Sequence, residues 1–323
     1  MFDGCGRKIE YLRVSLTSAC NLHCRYCRPE GTVSAGEGLT YGELLRVIDI
    51  FARLGIKKVR LTGGEPLLCP DLPKLIKGTK AVAGIEEVAL TTNGVDLAKY
   101  GKELVSSGLD AINVSIDTLD ENRYHELTGN AELTKVWEGL ELLKKLPLKV
   151  KINAVPIRDF NEADLVPLAM LAKESDWDIR FITLMPIGCA GEGTFTNGGL
   201  AAADTKRLLE EKLGELVPVE NSGLAGPAKY YRADGIKGRI GFIDALNKPF
   251  CELCNRLRIT ADGFCKLCLY SADGTDLRQL LRAGCSDELI MALIQKAVMN
   301  KPRGHHFGND GEQDRRYMYQ IGG

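Results

Sequence analysis

From Tyr11 to about Met185 the chain alternates short runs of apolar, often β-branched residues with longer stretches whose apolar positions recur every three or four residues. The short runs read as strands and the longer ones as amphipathic helices, which predicts repeated βα units around a parallel sheet. Six strands are expected, at Tyr11–Leu16, Lys58–Thr62, Glu87–Thr91, Ala111–Ile116, Leu148–Val155 and Asp178–Leu184. Among the helices, Tyr41–Leu54 carries Leu44, Leu45, Ile48, Phe51 and Ala52 at helical spacing. A closed eight-fold barrel needs two further units, so the expected fold is α/β, an open six-stranded parallel (β/α)6 barrel, or partial TIM barrel. Its chemistry belongs at the C-terminal mouth, where strands run into Thr62-Gly63-Gly64-Glu65, Thr91-Thr92-Asn93-Gly94 and Ser115-Ile116-Asp117.

Near Ile187 the rhythm changes. A Gly-rich stretch from Gly188 to Gly199 precedes a helix pattern at Asp204–Leu213 and short strand-like runs at Lys229–Arg232 and Arg239–Asp244. Two units are expected, residues 1–187 as the partial barrel and 188–323 as a C-terminal α+β extension.

Composition adds constraints. With 45% hydrophobic and 26% charged residues the chain resembles ordinary globular proteins, and no apolar run is long enough to span a membrane. A formal net charge of −1 gives no general attraction for nucleic acid or acidic membranes, so an anionic ligand must be held locally. Met1-Phe2-Asp3-Gly4-Cys5 lacks the features of an export signal, which makes the cytoplasm the expected location. In that reducing compartment the 11 cysteines are better candidates for metal ligands than for disulfides.

Cys20, Cys24 and Cys27 follow the first strand with C-x3-C-x2-C spacing. Three thiolates suit a [4Fe–4S] cluster with one iron left open, whereas a structural zinc site closes with four ligands. A zinc knuckle completed by His23 remains open on spacing alone. Gly63-Gly64-Glu65-Pro66 ends the second strand: two residues without side chains permit close backbone approach, and a carboxylate can pair with a cation.

The cysteine spacing, the aromatic Tyr26 before the last cysteine and the Gly-Gly-Glu-Pro segment together resemble the radical S-adenosylmethionine (SAM) superfamily. The resemblance implies that Cys20, Cys24 and Cys27 hold a [4Fe–4S] cluster whose open iron is chelated by SAM. SAM would be cleaved to methionine and a 5′-deoxyadenosyl radical. Tyr26, Gly63, Gly64, Glu65, Ser115 and Met185 are the positions it implies for SAM binding.

A second group, Cys251, Cys254 and Cys268, has C-x2-C-x13-C spacing around Asn255-Arg256-Leu257-Arg258, with Cys265 as a competing fourth ligand that would permit a zinc ribbon. The run Phe250–Leu269, with Gly6-Arg7, Tyr11-Leu12-Arg13 and the terminal Gly322-Gly323, resembles the GTP 3′,8-cyclases over essentially the whole chain. That resemblance implies a second three-ligated cluster on Cys251, Cys254 and Cys268, with Cys265 unneeded. It also implies GTP contacts at Arg13, Arg60, Thr91, Lys151, Arg256, Leu257 (through its backbone) and Arg258, and catalytic roles for Arg256, Arg258 and Arg180. Arginine suits a triphosphate because its planar fork donates to two phosphate oxygens at once.

The implied activity is that of a lyase acting on GTP, early in molybdenum cofactor synthesis, with an electron donor, a downstream cyclic pyranopterin monophosphate synthase, and a homodimer as the assembly to test. Thr17-Ser18-Ala19-Cys20 departs from the family's Thr-Asp-Arg-Cys, and Thr183 stands where a Glu is common, so Arg180 is expected to lose a partner. Cys5, Cys69, Cys189 and Cys285 match no cluster motif and read as small buried hydrophobes. His305 and His306 read as part of an exposed loop.

Overall fold

The computed structural model describes residues 1–28, 38–130, 132–188, 198–220, 226–247, 250–305, 314 and 316–322. The first half follows the expected order: β1 (Tyr11–Ser15), α1 (Tyr41–Arg53), β2 (Lys58–Thr62), α2 (Leu72–Ala81), β3 (Glu87–Thr92), α3 (Leu97–Ser106), β4 (Ala111–Ser115), α4 (Glu121–Thr128), α5 (Leu133–Leu143), β5 (Lys149–Ala154), α6 (Leu165–Met170) and β6 (Asp178–Ile182). The second half contributes α7 (Ala202–Leu213), β7 (Val217–Val219), β8 (Lys229–Arg232), β9 (Arg239–Ile243), β10 (Arg256–Ile259), β11 (Phe264–Lys266), β12 (Gly274–Asp276), α8 (Leu277–Arg282), α9 (Asp287–Met299) and α10 (Met318–Ile321). Helix starts are specified locally. At α1, Thr40 Oγ1 accepts from Glu43 N at 3.3 Å while Glu43 Oε2 accepts from Thr40 N at 2.7 Å, a reciprocal capping box. None of the described helices is long and apolar enough to cross a membrane.

The twelve strands among the described residues join one sheet in the order β12-β11-β10-β1-β2-β3-β4-β5-β6-β9-β8-β7. β1 to β6 lie side by side in chain order, as expected. The six-strand count is corrected at both edges: β10 runs parallel to β1 and β9 parallel to β6, so the parallel run extends beyond the βα units on either side. Antiparallel strands follow outside them, β11 and β12 at one edge and β8 and β7 at the other. The expected strand-like run at Arg239–Asp244 is β9, but counting βα units leaves β9 and β10 outside the parallel sheet because no strand–helix rhythm brackets them; both follow loops within the C-terminal region.

The strands alternate strictly. Leu12, Val14, Val59, Leu61, Val88, Leu90, Ile112, Val114, Val150, Ile152, Ile179 and Phe181 belong to one buried apolar cluster with the helices. Their neighbours along each strand face the other way, since successive strand residues point to opposite faces. Register aligns those neighbours: Arg258, Arg13 and Arg60 stand in one row, Arg256, Tyr11, Lys58 and Glu87 in the next. A parallel sheet is usually apolar on both faces. This one has an apolar face against helices and a polar face against something else.

The polar face is concave. Arg13 on β1 and Arg180 on β6 are near enough to repel each other electrostatically, whereas in a flat sheet five strand spacings would separate them by about 24 Å. Curling buries the polar row, leaving Arg60 3% and Arg180 7% exposed. The apolar face supplies the stability that holds this curvature. Ile112, fully buried on β4, is the sharpest probe: Ile112→Ala should lower unfolding free energy by about 2 to 5 kcal/mol in denaturant titration, while a cost below about 1 kcal/mol would mean that this face is not closely packed.

Candidate active site

The first cysteine loop leaves the C-terminal end of β1 and is fastened to the loop after β2. Gly64 N donates to Thr17 O at 2.6 Å and Glu65 N to Ala19 O at 2.8 Å. A Cβ on Gly63 would sit 2.7 Å from Thr17 O, and one on Gly64 would collide with Ala19 O. The glycines therefore permit close approach of backbone to the cysteine loop itself, rather than only to a ligand. Among the described residues Glu65 pairs with no cation. Its carboxylate is buried and accepts from Leu67 N at 2.9 Å, Thr92 Oγ1 at 2.7 Å and Asn93 N at 2.7 Å, tying the ends of β2 and β3 together. Burial raises it to about 7 against the pull of these donors.

Cys20, Cys24 and Cys27 share this loop. Burial, then repulsion from Cys27, Asp117 and Cys20, raises the Cys24 thiol, which relaxes if the sulfurs bind iron as thiolates. Among the described residues no three His, Cys, Asp or Glu side chains form a group that could hold a single metal ion. A cubane puts each thiolate on a different iron and does not ask them to meet. His23, the alternative fourth ligand, is exposed. Tyr26 Oη donates to Asp117 Oδ2 at 2.7 Å, and Val155 N donates to Asp117 Oδ1 at 2.7 Å, so the loop is anchored across β4 and β5. Asn93 Nδ2 reaches Asn21 Oδ1 at 2.7 Å and Cys20 Sγ at 3.9 Å.

The second group sits at the other end of the sheet. Tyr11 pairs in register with Arg256, so Cys251 and Cys254, just before β10, lie level with the N-terminal end of β1. The two thiol groups thus lie at opposite ends of the β1–β10 pair, whose four paired residues span about 13 Å along the strands. Burial first, and then the nearby Cys268 and Cys254 thiols, raise Cys251. Burial would raise Cys254, but Arg256 and Lys301, with hydrogen bonds from Arg256, bring it down to about 7. Cys265 is buried in the apolar cluster and pushed up to about 12, chiefly by burial, the profile of a packing thiol. Arg7 clamps the second loop: its guanidinium, paired with Asp3 at 2.6 Å, donates to Cys251 O at 2.7 Å, Pro302 O at 2.8 Å and Arg303 O at 3.1 Å.

Between the two groups lies the cationic row. Arg60 Nε donates to Tyr11 Oη at 2.5 Å and its Nη1 to Leu90 O at 2.9 Å and Thr91 Oγ1 at 3.4 Å. Lys58 pairs with Glu87 at 2.8 Å; Asp178 pairs with Arg239 at 2.8 Å and Lys151 at 3.4 Å. Arg60, Arg180, Arg256 and Arg258 form no ion pair among the described residues. Burial and then repulsion from Arg180 lower Lys151 to about 8 despite Asp178. Arg180 Nε and Asn113 Oδ1 are buried without hydrogen-bond partners among the described residues, which marks groups that a bound ligand would satisfy. Arg258 Nη1 donates to Gly322 O at 2.8 Å, and Gly322, at φ 82°, lies so close to Ser15 and Thr62 that a Cβ would sit 3.1 Å and 2.8 Å from their side chains. A cavity of about 1070 Å³ opens at the N-terminal ends of the strands, lined by Lys58, Glu87, Lys149, Lys151, Asp178 and Tyr230 among others.

The structure brings Arg13, Arg60, Arg180, Arg256, Arg258 and Lys151 to one face. Thr91 joins them through Arg60. Leu257 turns its side chain into the apolar cluster, leaving only its backbone for a ligand. Ser115 ends β4 in register with Asn153, and Met185 follows β6. Where Thr183 supplies no carboxylate, Arg180 Nη2 donates instead to the neutral Asn153 Oδ1 at 2.6 Å, while its Nε finds no partner among the described residues. His305 is half-buried, with Nε2 2.6 Å from Ala245 O, not on an exposed loop; His306, Cys189 and Gly323 lie outside the described residues. Cys5 is exposed and Cys69 and Cys285 half-buried, so none is the fully buried hydrophobe expected. Sequence reasoning missed Lys58, Tyr11 and Asn153, although strand alternation places all three on the polar face.

Two family models cover most of the chain, Radical SAM superfamily over residues 14–172 and Molybdenum Cofactor Synthesis C over residues 177–307. The GTP 3′,8-cyclase of Clostridium perfringens (strain 13 / Type A) is 43% identical over 327 residues, covering 100% of both chains. The chain belongs to the GTP 3′,8-cyclase family. A second member, from Pelotomaculum thermopropionicum, is 43% identical over 330 residues with the same full coverage. Streptococcus suis SuiB bound to S-adenosylmethionine shares the fold, with a TM-score of 0.59 at 17% identity over 87% of this chain and 67% of that one. With its precursor peptide SuiA, SuiB gives 0.62 at 16% identity over 94% and 68%.

The donor sets fit the iron–sulfur clusters of this superfamily, the first with three thiols on one loop held by backbone contacts and the second with Cys251 and Cys254 before β10 joined by Cys268 after β11. Gly64→Ala tests the first: its Cβ must displace Ala19 and the cysteine loop. After anaerobic reconstitution, iron should fall from about eight to about four per chain with SAM binding lost. Full iron and SAM binding in the variant would show that the loop does not need this approach.

Proposed function

We propose that the chain converts GTP to (8S)-3′,8-cyclo-7,8-dihydroguanosine 5′-triphosphate, opening molybdenum cofactor biosynthesis. The observation that carries this is the placement of two three-thiol groups at opposite ends of β1 and β10 with a buried row of arginines between them. Bound [4Fe–4S] clusters and SAM supply the radical chemistry that removes hydrogen from C3′ before C3′ joins C8. The protein's share is position. Cys20, Cys24 and Cys27 hold one cluster, beside which Tyr26, Ser115 and Met185 border SAM while Gly63, Gly64 and Glu65 set the loop. Cys251, Cys254 and Cys268 hold the other cluster, near the base.

Arg13, Arg60, Lys151, Arg180, Arg256 and Arg258 hold the triphosphate, which fixes the ribose between its two ends. Thr91 and the Leu257 backbone complete the contacts. An arriving polyanion relieves the mutual repulsion of these cations and keeps Lys151 protonated. The same reading takes β1 to β6 as a partial barrel, with residues 188–323 as the unit that brings the second cluster, in a cytoplasmic enzyme. It draws an electron from a donor and passes its product to a cyclic pyranopterin monophosphate synthase.

Arg256→Ala and Arg258→Ala should each weaken GTP recognition by about 2 to 5 kcal/mol with iron content unchanged. Cys268→Ala should retain SAM cleavage but end cyclisation. GTP affinity and turnover at the native level in both arginine variants would refute the assignment of the row.

A further inference from the structure

Tyr11 is a phenol set into the cationic row between β10 and β2, and no step above uses it. It is 9% exposed. Its Oη accepts from Arg60 Nε at 2.5 Å, and Lys58 Nζ lies 5.2 Å from its ring centroid. Register places it between Arg256 on β10 and Lys58 on β2. The charged groups facing it are Arg13 from its own strand, Lys58 and Arg60 from β2, Arg256 and Arg258 from β10, and Arg180 from β6. The nearest carboxylate in its row, Glu87, is engaged by Lys58 at 2.8 Å. Tyr11 is therefore an acidic group through which the Arg13, Arg60 and Lys58 end of this cluster can lower its own repulsion.

We infer that Tyr11 is a proton-linked counter-ion of the substrate site, ionised when no substrate is bound and protonated when a polyanion settles among the surrounding cations. The inference rests on the polar face being the triphosphate site. Burial alone would raise the phenol above its ordinary value of about 10, but Arg60, Arg13 and Lys58, with the Arg60 hydrogen bond, bring it down to about 7. Above that pH the phenolate balances one guanidinium. A triphosphate adds several negative charges beside it, which favours the neutral phenol. The phenolate oxygen then takes one proton from solvent, and Arg60 keeps its hydrogen bond to the oxygen while gaining phosphate.

The sign is fixed by the direction of the shift. At about pH 8, above the substrate-free value, GTP binding draws in a proton at Tyr11; at about pH 6 the phenol already carries it and this contribution vanishes. Lys151 also gains a proton at the higher pH, so the wild type must be compared with Tyr11→Phe, which keeps the ring beneath Lys58 and removes only the ionisable oxygen.

The test is calorimetry of GTP binding to the anaerobically reconstituted protein at about pH 8, in two buffers of different ionisation heat, with iron content measured for each sample. The wild type should take up about one more proton per GTP than Tyr11→Phe. Replacing Tyr11 by 3-fluorotyrosine, a more acidic phenol of nearly the same shape, should move the onset of uptake to lower pH, and this measurement stands even if Tyr11→Phe fails to fold. Equal proton counts in wild type and Tyr11→Phe, with GTP still bound, overturn the inference and leave the proposed function intact. Absence of GTP binding to the iron-loaded wild type overturns both.

Discussion

Burying like charges side by side is costly, because each loses water and each repels the next. On the concave face of this sheet Arg258, Arg13 and Arg60 occupy adjacent positions on three neighbouring strands. The rest of the molecule is arranged around that cost. The opposite face is continuous aliphatic surface packed on helices, so folding free energy comes from Leu12, Val59, Ile112 and their neighbours, not from the polar side. Asp178 and Glu87 compensate cations toward the N-terminal edge, through Arg239, Lys151 and Lys58. The four arginines without an ion pair among the described residues face the space between the thiol loops, where an anionic substrate supplies the missing charge.

The loops that border this space are held by backbone contacts, which are short and directional. Gly63 and Gly64 bring two loops to hydrogen-bonding distance, Glu65 fastens the ends of β2 and β3, and Arg7 gathers carbonyls from the Cys251 loop and residues 301–303. Gly322 reaches the same face from the chain's far end and meets Arg258. Groups distant in sequence are thereby fixed to one frame, as positioning a ribose between two reactive ends requires.

Much of this was legible in the sequence. The six central strands followed from hydrophobic periodicity, and the two cysteine spacings with Gly-Gly-Glu-Pro identified the residues to watch. Strand pairing between distant segments was not legible: nothing local in Arg256–Ile259 says that it lies beside Tyr11–Val14, so the opposite placement of the thiol loops was missed. Glu65 was read as a partner for a cation because its hydrogen-bond donors come from Leu67, Thr92 and Asn93 and exist only in the folded chain. Lys58 and Tyr11 were passed over although their alternation with Leu12, Val59 and Leu61 was visible; the strands were read as apolar runs, and the period of two was not followed onto the polar face.

If the arginine row holds a triphosphate, affinity must reside in the phosphates as much as in the base. The most direct measurement compares equilibrium binding of GTP and guanosine to the anaerobically reconstituted protein under identical salt. Charge-assisted contacts of about 1.5 to 3 kcal/mol each, made by several arginines, give an expected preference for GTP of at least about 1,000-fold. Equal affinity for the two ligands would contradict the account.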